Sequence, residues 1–250
     1  MKKEEGWLLN EKYNGQETTS FHADCERLTA GEPLAYIIGS ITFLNTKIFL
    51  DSHPLIPRTE TEFWVEKIIN EITNKGLTFV RVLDLCAGSG CIGVSVLKAI
   101  PAATVDFVEI DTNHHNTIRK NIRENGIDES RAQIVDGNLF EHVSGQYDYI
   151  LTNPPYIDPN IDRAEASVKK YEPEIALYGG KDGTQLISTI IATAPQFLTE
   201  HGVLVIEHEP EQSESIRTKA LSIGFDVLTY PDQFGVERYT TIHRKPVEVM

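Results

Sequence analysis

From Phe79 onward the chain repeats one pattern of apolar and polar positions. Apolar runs without strict alternation lie at residues 80–85, 104–110, 132–135, 147–152 and 203–207, and amphipathic stretches separate them at 91–100, 113–125, 183–198 and 211–223. A run that is apolar on both sides predicts a strand buried on both faces, and the stretches between predict crossover helices. The pattern therefore predicts an α/β fold, doubly wound, around a parallel sheet. Two further β-type runs, 225–230 and 239–244, are joined by the short loop PDQFGVER with no helix between them. That connection forces an antiparallel pair at one edge.

Upstream, Thr59-Glu60-Thr61-Glu62 has the form of a capping box and predicts a helix start. Trp64, Val65, Ile68, Ile69 and Ile72 supply its apolar stripe, and Gly76 its stop. The segment AYIIGSITFLNTKIFLD, residues 35–51, reads as two β-rich runs around Leu44-Asn45-Thr46, most simply a hairpin, and Pro54 and Pro57 bracket a rigid connector after it. Residues 1–30 are polar, with a turn at Asn14-Gly15-Gln16 and only weak helical periodicity over 21–28, which suggests an extension too short to be a domain.

Charge narrows the partners. Of 250 residues, 23 are Lys or Arg and 37 are Asp or Glu, a net charge of −14. Such an excess of carboxylates repels phosphate backbones, which argues against a general nucleic-acid binder, DNA included, and favours a small or protein substrate. At 40% hydrophobic and 24% charged residues, the composition is that of one sizeable globular domain with at most an appendage. No apolar run approaches the ~20 residues that span a bilayer, and Met1-Lys2-Lys3-Glu4-Glu5 lacks a signal-peptide core, so a cytoplasmic protein without a membrane partner is expected. The 3 cysteines, Cys25, Cys86 and Cys91, form no CxxC pair, and the 8 histidines show no metal-binding spacing. Reduced thiols and no metal are expected. The adjacent His114 and His115 read as part of a surface helix.

Two motifs carry chemistry. Asp84-Leu85-Cys86-Ala87-Gly88-Ser89-Gly90-Cys91-Ile92-Gly93 falls where the first strand of the sheet turns into a helix. Glycines there let backbone N–H groups approach a ligand, and the helix N-terminus favours an anionic group. Gly88, Gly90 and Gly93 also fit the dinucleotide pattern GxGxxG, with Glu109 about 20 residues on. An NAD-dependent oxidoreductase therefore stands as an alternative. Against it, Asp84 just before the glycines would repel a pyrophosphate and welcome the ammonium of S-adenosyl-L-methionine (SAM). Glu109 would accept from the ribose hydroxyls of either cofactor.

Asn153-Pro154-Pro155-Tyr156 follows the strand at 147–152, at the same carboxyl edge of the sheet. Two consecutive prolines have no N–H, so this turn offers acceptors almost exclusively. The Asn153 side-chain oxygen and the Pro154 carbonyl can each take one hydrogen of a planar NH2 group, with Tyr156 covering its flat face. Because the lone pair of such a nitrogen is delocalised, catalysis would consist of stabilising it as it becomes pyramidal and positive, and of aiming it at a methyl donor.

With these motifs in place, the sequence resembles the protein-(glutamine-N5) methyltransferases that act on peptide chain release factors. The likeness runs from Gly31 to Arg244 through GEPLAYIIG, IPRTETE, DLCAGSG, the strand-ending Glu109, GNLFE, NPPYI, EPEIALYGGKDG and GVER. It implies a class I SAM-dependent fold with a seven-stranded sheet in the order 3-2-1-4-5-7-6, the last strand antiparallel. Residues 1–34 would be a short remnant of a helical N-terminal domain, 35–58 a β-hairpin linker and 59–250 the methyltransferase domain. Asp84, Cys86, Ala87, Gly88, Ser89, Gly90, Glu109, Asn138, Leu139 and Asn153 would form the SAM site, with Glu109 on the ribose and Asn138 and Leu139 beside the adenine. Asn153, Pro154, Pro155 and Tyr156 would clamp the acceptor glutamine of a release factor, and a monomer is expected.

Three positions depart from the family pattern: Thr59 stands for the second proline of PRPETE, Asn138 for a common Asp, and His208-Glu209-Pro210 for a more glycine-rich turn. Asn138 can still accept from the adenine NH2, with weaker SAM binding. Residues 157–182 are long for a loop and are expected to shape the substrate pocket, with Tyr171, Glu172 and Pro173 near its mouth. The same acceptor pair would also suit another protein glutamine, as in a ribosomal protein, or a nucleobase NH2. A non-catalytic SAM-binding scaffold is the remaining alternative.

Overall fold

The computed structural model describes residues 3–77, 79–161 and 164–244; residues 245–250 of the expected methyltransferase domain, and 162 and 163 of the expected pocket segment, lie outside them. The strands of the main sheet are β3 (Val80–Leu85), β4 (Ala103–Glu109), β5 (Ala132–Asp136), β6 (Tyr147–Thr152), β7 (Leu198–Glu207), β8 (Phe225–Pro231) and β9 (Glu237–Arg244). They pair in the order β5-β4-β3-β6-β7-β9-β8, with β9 antiparallel to both neighbours and the others parallel. Renumbered from β3, this is the expected 3-2-1-4-5-7-6.

Burial on both faces explains the unbroken apolar runs. On one face, α4 (Thr59–Asn74), α5 (Cys91–Ala99) and α6 (His115–Glu124) cover Val82, Val105 and Phe107. On the other, α8 (Gln185–Thr193) and α9 (Ser213–Ser222) cover Leu83, Leu85 and Ile150. All five stripe residues of α4 are buried, Trp64 completely. The helix begins where expected, but the capping box does not form. Arg58 is the N-cap residue and Thr59 lies inside the helix, while the Glu62 carboxylate accepts instead from the Leu44 N–H at 2.6 Å. Glu62 thus ties the helix to the hairpin turn.

The hairpin itself is β1 (Ser40–Phe43) and β2 (Thr46–Phe49), and it packs Phe43 and Ile48 into the first face. Residues 35–38, expected as strand, are helical: α3 (Leu34–Ile38) starts after Pro33 and ends at Gly39, whose φ of +88° closes the turn. Proline before and glycine after outweigh the β-branched residues between them. The first 30 residues contain α1 (Lys3–Tyr13) and α2 (Thr19–Thr29), which with α3 bury Leu8, Phe21 and Ile37 against one another. Among the described residues, no helix is long and apolar enough to cross a membrane.

Candidate active site

At the carboxyl edge of β3 the backbone enters the left-handed region at Cys86 (φ +63°), Gly88 (+54°) and Gly90 (+76°) before α5 begins. This winds the chain into a tight turn, in which the Ala87 N–H is held by the Val108 carbonyl of β4 and the Gly90 N–H by the Ala87 carbonyl. Gly93 has another role: a Cβ there would stand 2.4 Å from the Phe107 ring, so this glycine lets α5 lie close against β4. Glu109, at the end of β4, accepts from the Gly88 N–H at 2.7 Å and the Asp111 N–H at 2.8 Å, which fixes its carboxylate beside the turn.

A cavity of about 270 Å³ opens there, and Cys86, Gly88, Glu109, Asn138, Leu139 and Asn153 are among its lining residues. The remaining expected members, Asp84, Ala87, Ser89 and Gly90, stand behind the wall. Asp84 is fully buried, with Oδ2 accepting from the Gly93 N–H at 2.8 Å and Oδ1 unpaired. Its strand position turns it under α5, so it does not line the cavity. The Ser89 carbonyl accepts from Asn121, a buried α6 side chain that also exchanges hydrogen bonds with Phe49 of the hairpin. Asn121 thus braces the glycine turn from behind, and nothing in its local sequence marked it.

Burial, with Glu109 nearby, pushes the Asp84 carboxyl up to about 8 from 3.8, against the pull of the Gly93 N–H. The group is therefore neutral in the fold and ionised in the unfolded chain between those values. Its contribution to stability is fully present below about pH 4 and is lost as pH rises toward 8. Urea unfolding of wild type and Asp84→Asn should show a stability difference that shifts against the wild type by a few kcal/mol between pH 5 and 8. A constant difference would mean that Asp84 is ionised throughout. Burial also raises the Cys86 thiol to about 12, so Cys86 lines the cavity as a neutral group and not as a nucleophile.

The two histidines expected on a surface helix are both buried. His114 lines the cavity and bonds Ser52 Oγ at 2.8 Å, and His115 Nε2 donates to the Glu109 carbonyl at 3.1 Å. They do point to different partners, as adjacent helical residues must.

Beyond β6 a second cavity, of about 580 Å³, is lined by Asn153, Pro154 and Tyr156 together with Arg58, Ile157 and Leu177. Asn153 borders both cavities, as do Leu55 and Ala176, so the two adjoin at these residues. Its Nδ2 donates to Thr61 Oγ1 at 3.1 Å, whereas its Oδ1 and the Pro154 carbonyl take no hydrogen bond among the described residues. One free acceptor, Asn153 Oδ1, therefore belongs to a residue shared by both cavities, and the second, the Pro154 carbonyl, follows it in a residue that lines the larger one. Tyr156 is anchored from behind: its hydroxyl donates to Glu207 Oε1 at 3.1 Å, and burial beside that carboxylate pushes the phenol well above its ordinary range.

Residues Ile157, Asp158, Ile161 and Asp182 of the 157–182 segment line the larger cavity, as expected of a pocket-shaping loop. Tyr171, Glu172 and Pro173 do not line it. Glu172 is buried and accepts from the Ile56 N–H at 3.0 Å and Arg58 at 2.7 Å, and the Tyr171 hydroxyl donates to the Ala30 carbonyl at 3.3 Å. They fasten the segment to the connector and the N-terminal helices. Ile157 also pairs with Tyr178 in a single parallel bridge, which brings Gly179 and Gly183 against the Pro155–Tyr156 backbone.

A glycine-turn cavity meeting an Asn-Pro-Pro-Tyr turn at the carboxyl edge of this sheet defines a class I SAM-dependent methyltransferase. Residues 61–169 match the family model described as "Methyltransferase small domain". The fold is that of the hMettl16 catalytic domain solved in complex with MAT2A 3'UTR hairpin 6, with a TM-score of 0.63 and 16% identity over 82% of this chain and 77% of that one. The release factor glutamine methyltransferase of Bifidobacterium longum is 34% identical, covering 88% of this chain and 78% of that protein. The ribosomal protein uL3 glutamine methyltransferase of Bordetella pertussis is 31% identical, covering 83% and 70%. The chain belongs to the release factor glutamine methyltransferase family.

Two of the departures from the family pattern have a visible place. Asn138 is exposed at the cavity wall and its N–H is held by Glu141 at 3.1 Å. His208 is fully buried, donates from Nδ1 to the Glu209 carbonyl and accepts at Nε2 from Thr240; burial keeps it neutral, and it braces β7 against β9.

Proposed function

We propose that this chain transfers a methyl group from SAM to the side-chain amide nitrogen of a protein glutamine, in the Gly-Gly-Gln loop of a peptide chain release factor. The observation that carries the reading is the pair of neighbouring free acceptors, Asn153 Oδ1 in a residue that two cavities share and the Pro154 carbonyl in a residue that lines the larger one.

The smaller cavity fits SAM in its donor set: an acidic group, Glu109, fixed at the end of β4, the Gly88 backbone at the wall, and Asn138, Leu139 and Asn153 around it. Glu109 would hold the ribose, and Asn138 and Leu139 the adenine. Bound there, SAM supplies an electrophilic methyl on sulfonium. The chain's own contribution is to hold the glutamine NH2 by both hydrogens, so that the nitrogen lone pair is directed out of the clamp toward the smaller cavity. As positive charge grows on nitrogen, both acceptors bind its hydrogens more tightly, which lowers the barrier without a strong base. The surplus proton leaves to water after transfer.

The rim fits a protein. Ile110, Ile161 and Ile175 stand exposed around the two cavities, and Asp158, Asp182, Glu209 and Glu211 line the larger one against Arg58, itself paired with Glu172. Exposed apolar groups and carboxylates suit a polypeptide better than a phosphate backbone.

Mass spectrometry of unmethylated release factor incubated with the protein and SAM tests this. One methyl on the Gly-Gly-Gln glutamine is expected. Methyl found on uL3 alone would move the acceptor to the ribosomal protein named by the Bordetella relative, and methyl found on RNA alone would overturn the reading.

A further inference from the structure

A buried line of hydrogen bonds behind the clamp has a direction. Trp64 is fully buried and its indole nitrogen can only donate; it gives its hydrogen to Glu207 Oε2 at 2.7 Å. The same oxygen takes the Thr61 hydroxyl at 2.6 Å, and Oε1 takes the Tyr156 hydroxyl at 3.1 Å. Three donors thus converge on a carboxylate, which has acceptors alone. With its hydrogen committed to Glu207, Thr61 Oγ1 has only lone pairs left to offer Asn153. The Asn153 Nδ2, 3.1 Å away, fills that place.

We infer that Thr61 and Glu207 are positioning residues that hold the Asn153 carboxamide with its NH2 backward and its oxygen toward the acceptor, so that the site selects groups with N–H hydrogens to give. The inference rests on the methyl-transfer reading and adds to it the origin of the selectivity. A flipped Asn153 would present hydrogens at the junction and suit a carboxylate or carbonyl oxygen. Because Thr61 and Glu207 are buried to 2% and 1% exposure, they act through Asn153 and Tyr156 and do not touch the acceptor. One carboxylate sets both walls of the clamp, since its second oxygen anchors Tyr156.

The test compares Thr61→Val, Thr61→Ser and Glu207→Gln in full-length protein, with release factor as acceptor. Valine keeps the shape and removes the hydroxyl, so kcat should fall about 10- to 100-fold while the acceptor KM and the SAM Kd stay within about threefold. Serine restores the hydroxyl and should bring kcat back to within about threefold of wild type. Glutamine at 207 can keep an oxygen on Trp64 and Thr61 and turn its NH2 to Tyr156 Oη, so it should retain most of kcat. A packing role reverses the order, with serine impaired and valine near wild type, and that result would overturn the inference.

Selectively asparagine-labelled protein gives an independent reading by NMR. The wild-type Asn153 NH2 should show slow exchange and a contact to the Thr61 methyl, and Thr61→Val should abolish the protection. If wild type moves no methyl onto glutamine, the functional reading fails and the NMR arm still decides the positioning: an unprotected Asn153 NH2 in wild type would refute it.

Discussion

Replacing Asn153 by alanine is expected to lower kcat by about 10²-fold or more while SAM still binds. The substitution removes one of two neighbouring acceptors and leaves Glu109 and the glycine turn untouched. The nitrogen of a carboxamide is planar before attack and positive after it, so an acceptor that strengthens with charge acts on the transition state more than on bound glutamine. The loss should therefore fall on kcat more than on the acceptor KM. Single-turnover kinetics with calorimetric titration of SAM separates the two. A variant that keeps turnover would assign the chemistry elsewhere.

Gly183→Ala should be nearly as damaging, from a position that makes no hydrogen bond to either ligand. A Cβ there would stand 2.1 Å from the Tyr156 carbonyl oxygen and 2.4 Å from Gln212 Nε2, at a φ of +65°. Gln212 holds that same carbonyl at 2.7 Å, so neither neighbour can yield without moving the acceptor turn. Backbone strain and overpacking together cost about 2–4 kcal/mol. Thermal unfolding should show a lowered Tm, and methyl transfer should fall more than SAM affinity, because the smaller cavity lies away from Gly183. Wild-type Tm and turnover would mean that the turn tolerates displacement.

Much of this was legible in the sequence because the periodicity reports burial directly. Val80–Leu85 and Tyr147–Thr152 match their expected bounds, and the loop PDQFGVER forces the antiparallel edge that β8 and β9 form. The N-terminal helices were hard to read for a physical reason: their shared core is centred on Leu8, Phe21 and Ile37, too few apolar positions to set a period. The site divides in the same way. The glycine turn and Asn153-Pro154-Pro155-Tyr156 announce themselves by local backbone chemistry, but Thr61 and Glu207 lie 146 positions apart in the chain and meet only in the fold. Thr61 reads locally as part of a helix start and Glu207 as a strand end. Gly179 and Gly183 look like ordinary loop glycines until the Tyr156 backbone is placed against them.

The contacts of Tyr171 and Glu172 have a mechanical consequence. The segment over the larger cavity has two footings outside the sheet, one on the Ala30 carbonyl and one on Ile56 and Arg58. The smaller cavity has footings there too, His114 on Ser52 and Asn121 on Phe49, so both cavities lean on the hairpin and connector. The 157–182 segment reaches past the connector as well, to Ala30 at the end of α2, so the N-terminal helices bear directly on the lining of the larger cavity.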